Sequence, residues 1–502
     1  MPQQRKSARL KAWLPLILAL SWMLGTFGAF WLGGLGQQVP NPGRLCAFVL
    51  SATGLFALGY AARVLRVPGG QSTAVTPTRA ARIRHLVLVG AGYYTVLSII
   101  RLATLGATGP GNVWSSVQDP AAAYLHKLQA YDQGVGQGNP ILSLLALLGV
   151  CGTTLAPLLV VYWRHLPWLA RAAGLLGLIL NVTYYLYIGT LKGLGDVAVM
   201  LAAGLLVLAA APQRRARSRR RTALTVGAAI AAAFTAYMVF SQAARTSEFG
   251  TSDLVKPSPA VASLAGPRVA DGLAALVFYP THGYLGLAYN LQAPFEWSRG
   301  LGSAPAAAAL AEERLGADAL TNTSYPERTE SMTGWSAELY WATAYPWLAS
   351  DLTFPGAALF MALVGWLFAR VWLEAAFSRR ALPLLLFAQL WIFIAYVPAN
   401  NQLGMSPESV AGVVTLMVLL LCRPQTRDRA ARKSAGVRAP AVGANRRGRP
   451  GTRAVSARVP VASPQGPRGQ ALTQQICLPW PTGFASSPTC SPPAADTAPT
   501  PG

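Results

Sequence analysis

Three cationic side chains stand at the ends of apolar stretches of the chain. Arg101 ends one such stretch, Lys192 lies in a short polar turn between two others, and Arg245 follows a fourth. A charge in apolar surroundings is costly and tends to be paired or functional. Together on one side, these cations could bind an anionic headgroup, such as a lipid diphosphate, through charge-assisted hydrogen bonds. Taken singly, each could instead extend its long side chain to the membrane surface, and Asp196 could pair with Lys192.

The polar stretch of residues 243–351 supplies candidates for acid–base chemistry. It lies between two apolar segments and contains Asp271, His282, Glu338 and Asp351. A carboxylate can act as a general base on a sugar hydroxyl when it is held within hydrogen-bond reach, and a histidine can do so near neutral pH. Aromatic residues are interleaved along the stretch and would suit stacking on sugar rings. The alternative for any one of these residues is a solvated loop position.

The composition indicates a membrane protein. Hydrophobic residues make up 53% of the 502-residue chain and charged residues only 12%, against about a quarter charged in ordinary soluble domains. Apolar runs of about 18 or more residues are long enough to span a bilayer as helices. Ten apolar segments are predicted as membrane helices, at about residues 12–35, 45–65, 86–105, 141–162, 168–191, 197–211, 222–242, 352–373, 381–397 and 408–422.

The distribution of charge predicts how these segments cross the membrane. Ten helices put both termini on one side, and most of the 42 Lys and Arg residues then fall on that side, while most of the 18 Asp and Glu residues fall on the other. Cytoplasmic loops carry an excess of Lys and Arg, so the termini are predicted inside and residues 243–351 outside. The net charge of +24 then reflects topology and attraction to anionic lipid, and nucleic acid is a poor second explanation.

The sequence therefore predicts an all-α fold, a polytopic membrane helix bundle of about ten transmembrane helices with one large external loop and a disordered cytoplasmic tail. Residues 1–242 contain helices 1–7, residues 243–351 form the extracytoplasmic loop with interfacial helices, and residues 352–422 contain helices 8–10. Residues 423–502 are basic, rich in Pro, Ala and Gly, and predicted to be disordered. The first segment could instead be a signal peptide, but it is longer than a signal h-region.

No soluble catalytic motif is present in the sequence. Walker A, the dinucleotide fingerprint, Gly-x-Ser-x-Gly and His-Glu-x-x-His are all absent. The five cysteines form no close-set pairs and predict neither a disulfide framework nor a metal site. The long loop contains no Asp-x-Asp, so a metal held by paired carboxylates is not suggested. We therefore expect no cofactor and no metal.

Four stretches resemble the oligosaccharide repeat-unit polymerases, the Wzy-like polymerases of O-antigen and exopolysaccharide. Residues 189–193, Gly-Thr-Leu-Lys-Gly, resemble the family's Gly-Ser/Thr-Arg element between two membrane helices, with Lys192 where arginine is usual. Arg245 resembles the arginine that opens the family's large external loop. Residues 284–302 resemble its Tyr…Gly segment, and residues 341–365 resemble its aromatic and Asp entry into the next helix.

The resemblance implies a multi-pass enzyme of the bacterial inner membrane that transfers a growing glycan from its polyprenyl diphosphate carrier to the next lipid-linked repeat unit. The implied partners are the polyprenyl-diphosphate-linked glycan, the lipid bilayer, and a flippase and a chain-length regulator of the same process. The diphosphate leaving group drives the transfer, so no nucleotide or cofactor is needed. From the residues and the resemblance together, the predicted catalytic residues are Arg245, Asp351, Glu338 and His282, and the predicted residues for binding diphosphate and glycan are Lys192, Arg101, Arg299, Tyr284, Trp341 and Tyr345.

Two other functions stay open at this point. A ligase would move the lipid-linked glycan to a different acceptor, and its acceptor pocket cannot be read from one sequence. A transporter or flippase would be a non-enzyme, and it predicts ionisable residues in the middle of spans and pseudo-symmetric halves. The predicted spans of this chain contain few ionisable residues, and one external loop is much longer than the others. Both features favour an enzyme over a transporter.

Overall fold

The computed structural model describes residues 2–66, 77–107, 109–136, 139–210, 216–248, 259–315, 321–337 and 340–422. The predicted disordered tail, residues 423–502, and the candidate catalytic residue Glu338 lie outside these described residues.

The described residues fold into α-helices, and no β-strand occurs among them. This agrees with the all-α fold predicted from the sequence. The helices are α1 Pro2–Leu32, α2 Pro42–Leu65, α3 Pro77–Thr104, α4 Pro110–Gln118, α5 Pro120–Asp132, α6 Pro140–Leu147, α7 Gly149–Tyr162, α8 Trp168–Tyr187, α9 Leu191–Ala210, α10 Ala216–Glu248, α11 Pro259–Ala265, α12 Pro267–Phe278, α13 Gly283–Asn290, α14 Pro305–Leu315, α15 Tyr325–Thr333, α16 Ala344–Ser378, α17 Ala381–Tyr396 and α18 Pro407–Leu421.

Seven of the described helices are long and apolar enough to cross a membrane. They lie in α1, α2, α3, α8, α9, α10 and α16. Helices α6 and α7 pass the same test only as a pair, which is bent by 55°, and they would make an eighth span. Helices α17 and α18 are apolar but shorter. Each of the ten predicted segments is therefore helical, and the prediction that all ten cross the membrane stays a prediction.

Proline and capping side chains set the starts of several helices. A proline is tolerated at the first helical position because its missing N–H would have no intrahelical partner there. Helix α5 shows both devices, since it begins at Pro120 and the Asp119 carboxylate accepts a hydrogen bond from the backbone N–H of Ala122 at 2.9 Å. This cap satisfies an amide that the helix itself leaves free. Helix α5 matters below because it carries a lysine of the candidate site.

Helix α16 begins inside the stretch that the sequence assigns to the external loop. It starts at Ala344 rather than near residue 352, and it bends at Thr353, whose φ of 65° is non-helical. A β-branched residue at positive φ is an outlier, and Pro355 follows it within the bend. The bend lies next to the predicted loop boundary at residue 351, and the helical residues before it belong to the stretch for which interfacial helices are predicted.

The closest helix packing in the described core is between α2 and α16. Gly59 lies against the backbone of Ala362, and Gly365 lies against the backbone of Phe56, with no room at either glycine for a Cβ atom. Small residues allow backbones to approach closely, and such approach stabilises helix pairs where lipid provides no hydrophobic driving force. The buried ring of Phe368 packs 6.0 Å from the ring of Phe56. These two helices are therefore held together by direct backbone contact.

The polar stretch after α10 is folded into short helices, α11 to α15, rather than an open loop. Helix α12 packs against α10, where Gly272 approaches the backbone of Val239. The helical path breaks between Phe278 and Gly283 and continues as α13. Residues 279–281 of this break form one wall of an apolar cavity.

Candidate functional site

A polar cavity of about 330 Å³ lies where the ends of several helices meet. Its wall includes the end of α3, the first turns of α9 and α18, and one face of α5. Helix α7 brings α18 close, because Gly149 lies against the backbone of Glu408 with no room for a Cβ atom. The charged residues of the wall are Arg101, Lys127, Lys192, Asp196 and Glu408.

Arg101 is partly neutralised within this wall. Its guanidinium forms a hydrogen-bonded ion pair with the Glu408 carboxylate, and both side chains are partly buried. The guanidinium also lies 5.2 Å from the centre of the Tyr184 ring, within cation–π distance. The sequence places Arg101 at an apolar helix end, and the structure adds its counterion, which stands far away in the sequence. This pair ties α3 to the start of α18.

Lys192 lines the cavity from the first turn of α9. Asp196, one turn later, does not form the ion pair with Lys192 that the sequence suggests. Both of its carboxylate oxygens instead accept hydrogen bonds from Nε2 of Gln402, at 3.0 Å each. The turn that precedes Lys192 is close-packed, since Gly189 has a φ of 59° and lies against the backbone of Pro120. Only glycine fits there without strain.

Lys127 is a cation of the site that the sequence analysis missed. It lines the same cavity from α5, and its ammonium lies 5.0 Å from the Tyr124 ring centre and 5.2 Å from that of Tyr131. Burial lowers the pKa of Lys127 to about 8, and the positive charges of Arg245 and Lys192 act in the same direction. The spacing of Tyr124, Lys127 and Tyr131 places all three on one helix face, and that spacing was the available signal.

Arg245 lies beside the cavity without forming part of its wall. Its guanidinium donates a hydrogen bond to the carbonyl oxygen of Gly189. It also stacks over the Tyr124 ring at 4.3 Å from the ring centre. The structure therefore brings Arg245 to the turn before Lys192 and to the helix that carries Lys127. Its guanidinium is bound to protein groups and also acts electrostatically on Lys127.

A second cavity, of about 650 Å³, is apolar and lies on the other side of α9. Leu191 and Gly195 of α9 face it, while Lys192 and Asp196 of the same two turns face the polar cavity. Helices α1, α10 and α17 and the break after α12 complete its wall. Helix α10 contributes Gly227, Ile230, Ala231, Phe234, Thr235 and Met238, which recur at helical spacing. The first turns of α9 thus separate a charged cavity from an apolar one.

The three described candidates for acid–base chemistry in the long loop, Asp271, His282 and Asp351, do not line either cavity. The Asp351 carboxylate accepts hydrogen bonds from the backbone N–H groups of Gly302, at 3.1 Å, and Ser303, at 2.7 Å. His282 is buried, with Nδ1 at 2.9 Å from the Phe278 carbonyl oxygen. Burial lowers the pKa of His282 to about 4, so it is neutral at pH 7 rather than titrating there as the sequence suggests.

Two aromatic residues expected to stack on sugars are instead part of the core. Tyr284 is 1% exposed, and its hydroxyl hydrogen-bonds to the Thr26 hydroxyl at 3.0 Å and donates to the Met23 carbonyl oxygen at 3.1 Å. Tyr345 is also 1% exposed and packs edge-on against Phe48 at 5.2 Å. A ring that is enclosed in this way has no free face for a sugar. The expectation that Tyr284 and Tyr345 bind glycan is therefore wrong for this structure.

The remaining two candidates lie away from both cavity walls. Trp341 is half-buried, has a positive φ of 55°, and packs edge-on against Tyr279 at 5.0 Å. Arg299 is exposed in a turn and also has a positive φ, of 54°. Within the described ranges, no group of three or more His, Cys, Asp or Glu residues could hold a metal ion.

The apolar helices define this chain as a multi-pass α-helical membrane protein with a cation-lined cavity beside an apolar one. Comparison of the chain with family models, with curated proteins and with solved structures gives no match.

Proposed function

We propose that this protein polymerises polyprenyl-diphosphate-linked oligosaccharide repeat units into O-antigen or exopolysaccharide, at the outer face of the inner membrane. The observation that supports this most directly is the pair of cavities on either side of α9. A lipid diphosphate has one anionic and one apolar part. A site for it needs cations and an apolar groove within reach of each other. The first two turns of α9 line both the polar cavity and the apolar cavity.

The polar cavity has the charge that the diphosphate requires. Arg101, Lys127 and Lys192 line it, and Arg245 stands beside it. Phosphate groups are bound by Lys and Arg through short, charge-assisted hydrogen bonds. A preorganised donor at a developing negative charge contributes roughly 3–4 kcal/mol to lowering the barrier of the reaction. These cations would therefore both hold the diphosphate and stabilise it as the leaving group.

The apolar cavity has the size and lining for a lipid chain. Its volume of about 650 Å³ lies in the usual range for ligand sites, roughly 300–1,000 Å³. Alanine, glycine and aliphatic residues dominate the faces that α9 and α10 turn towards it. Helix α10 is little covered by other helices, since only 11% of its apolar span is buried. A lipid chain could reach the cavity past such a peripheral helix.

The proposed reaction transfers a glycan between two lipid carriers. A sugar hydroxyl of the incoming repeat unit attacks the anomeric carbon of the donor glycan, and a new glycosidic bond forms. The bond between that carbon and the diphosphate oxygen breaks, and the lipid diphosphate leaves with the bonding electrons. The hydroxyl proton passes to a base, and we assign that role to the Asp196 carboxylate. Asp196 lines the cavity without an ion pair among the described residues, whereas Glu408 is paired with Arg101.

The proposal also includes topology and partners. The protein would be a multi-pass protein of the inner membrane, with its basic N-terminal stretch and tail in the cytoplasm and the α11 to α15 region outside. It would receive repeat units delivered by a flippase and work with a chain-length regulator. Metal and nucleotide are not needed in the proposed transfer, because the diphosphate leaving group provides the driving force.

Gene deletion with sizing of the surface polysaccharide tests this function. Single repeat units on the final acceptor would support the polymerase. Long chains that stay unattached would identify a ligase instead, and repeat units trapped inside the cell would identify a flippase. Complementation with the intact gene has to restore the long chains. Unchanged polysaccharide in the deletion strain would overturn the proposal.

A further inference from the structure

The positive charges around the polar cavity are unequally neutralised. Arg101 has Glu408 as its counterion, and Asp196 is held by Gln402. Lys127 and Lys192 form no ion pair within the described ranges, although both line the cavity. The cavity wall therefore contains two ammonium groups without an ion pair, and only Lys192 has carboxylates, those of Asp196 and Glu408, near enough to act on it over a longer distance.

The two lysines come from separate parts of the fold. Lys127 is on α5, which lies before the bent pair of helices α6 and α7, and Lys192 is on the first turn of α9. Their charges are close enough to repel each other, and Arg245 adds to the repulsion on Lys127. Like charges that share a cavity are unfavourable unless an anion joins them. Such an arrangement is typical of a binding site for a multiply charged anion.

The arginines nearby are already committed to protein groups. The Arg101 guanidinium is bound to Glu408 and lies over Tyr184. The Arg245 guanidinium is bound to the Gly189 carbonyl and lies over Tyr124. The Lys127 ammonium has the Tyr124 and Tyr131 rings beside it, and the Lys192 ammonium faces the cavity, where Asp196 and Glu408 act on it without forming an ion pair. The lysines, rather than the arginines, are thus the donors that an incoming anion would meet first.

We infer that Lys127 of α5 and Lys192 of α9 together form a two-lysine site that binds the diphosphate group of a lipid headgroup, one ammonium from each side of the polar cavity. The lipid part of this assignment rests on the proposed function, while the anion site rests on the charges and the cavity alone. Burial, and after it the charges of Arg245 and Lys192, lower the pKa of Lys127, and a bound anion would raise that pKa again.

Calorimetric titration of the purified full-length protein in detergent tests the site. The probes are inorganic pyrophosphate, farnesyl diphosphate and farnesol. We expect farnesyl diphosphate to bind more tightly than inorganic pyrophosphate, and farnesol to bind weakly. Lys127→Gln and Lys192→Gln should each weaken binding of farnesyl diphosphate by about tenfold or more, since a charge-assisted hydrogen bond is lost. Equal affinities for both diphosphates would overturn the assignment to a lipid headgroup.

Matched variants control for general effects of mutation. His126→Gln alters the exposed neighbour of Lys127 on the same helix, and Arg268→Gln removes an exposed cation on α12. Both should bind as tightly as the unaltered protein. A loss in either control equal to the loss in Lys127→Gln would show that any change of surface charge suffices, and the two-lysine site would be refuted.

A second measurement needs no variant and so does not depend on how a variant folds. An amine-reactive reagent is applied to the unaltered protein at pH 8, and the labelling of each lysine is read by mass spectrometry. Inorganic pyrophosphate should protect Lys127 and Lys192 and leave Lys11 unchanged. Absence of protection would overturn the inference. Neither assay involves a glycan, so their failure and a failure in polysaccharide length are separate results.

Discussion

The guanidinium of Arg245 donates a hydrogen bond to the Gly189 carbonyl oxygen, which joins the end of α10 to the turn before α9. The same guanidinium lies 4.3 Å from the centre of the Tyr124 ring on α5. One side chain therefore connects the helix that carries Lys127 with the helix that carries Lys192. Arg245 thereby links the two helices that carry the lysines.

Replacement of Arg245 should abolish long-chain polysaccharide. Arg245→Ala removes both contacts and one positive charge beside the cavity, and we expect at least a hundredfold loss of polymer, in line with the loss of a well-placed donor. Arg245→Lys should restore only part of the activity, because an ammonium cannot reproduce the planar contacts of a guanidinium. Gel analysis of polysaccharide length measures both. Arg268→Ala, an exposed cation on α12, should leave chain length unchanged.

Asp196 should be needed for transfer but not for binding of the diphosphate. Asp196→Asn keeps the size of the side chain and removes the base, and general-base catalysis typically contributes about 10²–10⁴-fold. We expect a comparable loss of polymer, with unchanged or tighter binding of farnesyl diphosphate because a negative charge has left the cavity. Asp271→Asn, which alters a carboxylate away from both cavities, is the matched control. Normal polymer from Asp196→Asn would exclude Asp196 as the base.

Binding of farnesyl diphosphate should weaken as the pH rises above about 8. The charges and phenols that face Lys127 are those of Tyr124 and Tyr131 on α5, Arg245 on α10 and Lys192 on α9. Burial lowers the pKa of Lys127 to about 8, so its ammonium is present below that pH and is lost above it.

Lys127→Arg separates this effect from the ionisation of the ligand. Arginine stays protonated throughout, so the ratio of the two affinities isolates the contribution of Lys127. We expect the affinity of the unaltered protein, divided by that of Lys127→Arg, to be constant below pH 7 and to fall above pH 8. A ratio that does not change between pH 7 and pH 9.5 would contradict the assignment.

A bulky residue in the apolar cavity should affect the lipid and spare the phosphate. Ala231→Trp places an indole among the lining residues of α10. We expect binding of farnesyl diphosphate to weaken by about tenfold or more, while inorganic pyrophosphate binds as before. Ala236→Trp, on the exposed face of the same helix and outside the cavity wall, should change neither affinity. Equal losses for both ligands would place the lipid chain elsewhere.

Cysteine labelling tests the predicted topology. In a variant without native cysteines, Ser331→Cys lies on an exposed face of α15, and Ala81→Cys lies on an exposed face at the start of α3. An impermeant maleimide should label Ser331→Cys in intact spheroplasts, and Ala81→Cys only after permeabilisation. The native residues to replace are Cys46, Cys151, Cys422, Cys477 and Cys490. The reverse pattern would put the proposed substrate on the wrong side of the membrane.

The helices could be predicted from the sequence because lipid leaves the backbone few alternatives. A segment in hydrocarbon has to satisfy its own N–H and C=O groups, so apolar length and helix coincide. Boundaries were less accessible, as α16 shows, since Ala344 belongs to the helix although polar residues precede it. The bend at Thr353 depends on packing around one residue, and no periodicity encodes it.

The candidate site was only partly predictable, for a different reason. Arg101 and Lys192 could be found because a cation stands out at the end of an apolar run. Glu408 could not be assigned as the partner of Arg101, since their contact depends on how α3 and α18 meet. Tyr284 has the sequence features of a binding residue, and only its neighbours Met23 and Thr26 show that it is enclosed. A tyrosine that is enclosed in the core is distinguished from one that can bind a ligand by its tertiary contacts, not by the local sequence pattern.

The interlocked glycines of α2 and α16 have a consequence for how the protein is made. Gly59 is synthesised early, and the backbone that covers it, at Ala362, emerges from the ribosome only after most of the other helices. Until α16 is inserted, helix α2 therefore lies in the bilayer with its surface at Gly59 uncovered. Helices insert first and associate afterwards, so this pairing can close only late in biogenesis. A nascent chain that stalls before Gly365 would expose that surface to membrane proteases, which could use it to recognise an unfinished protein.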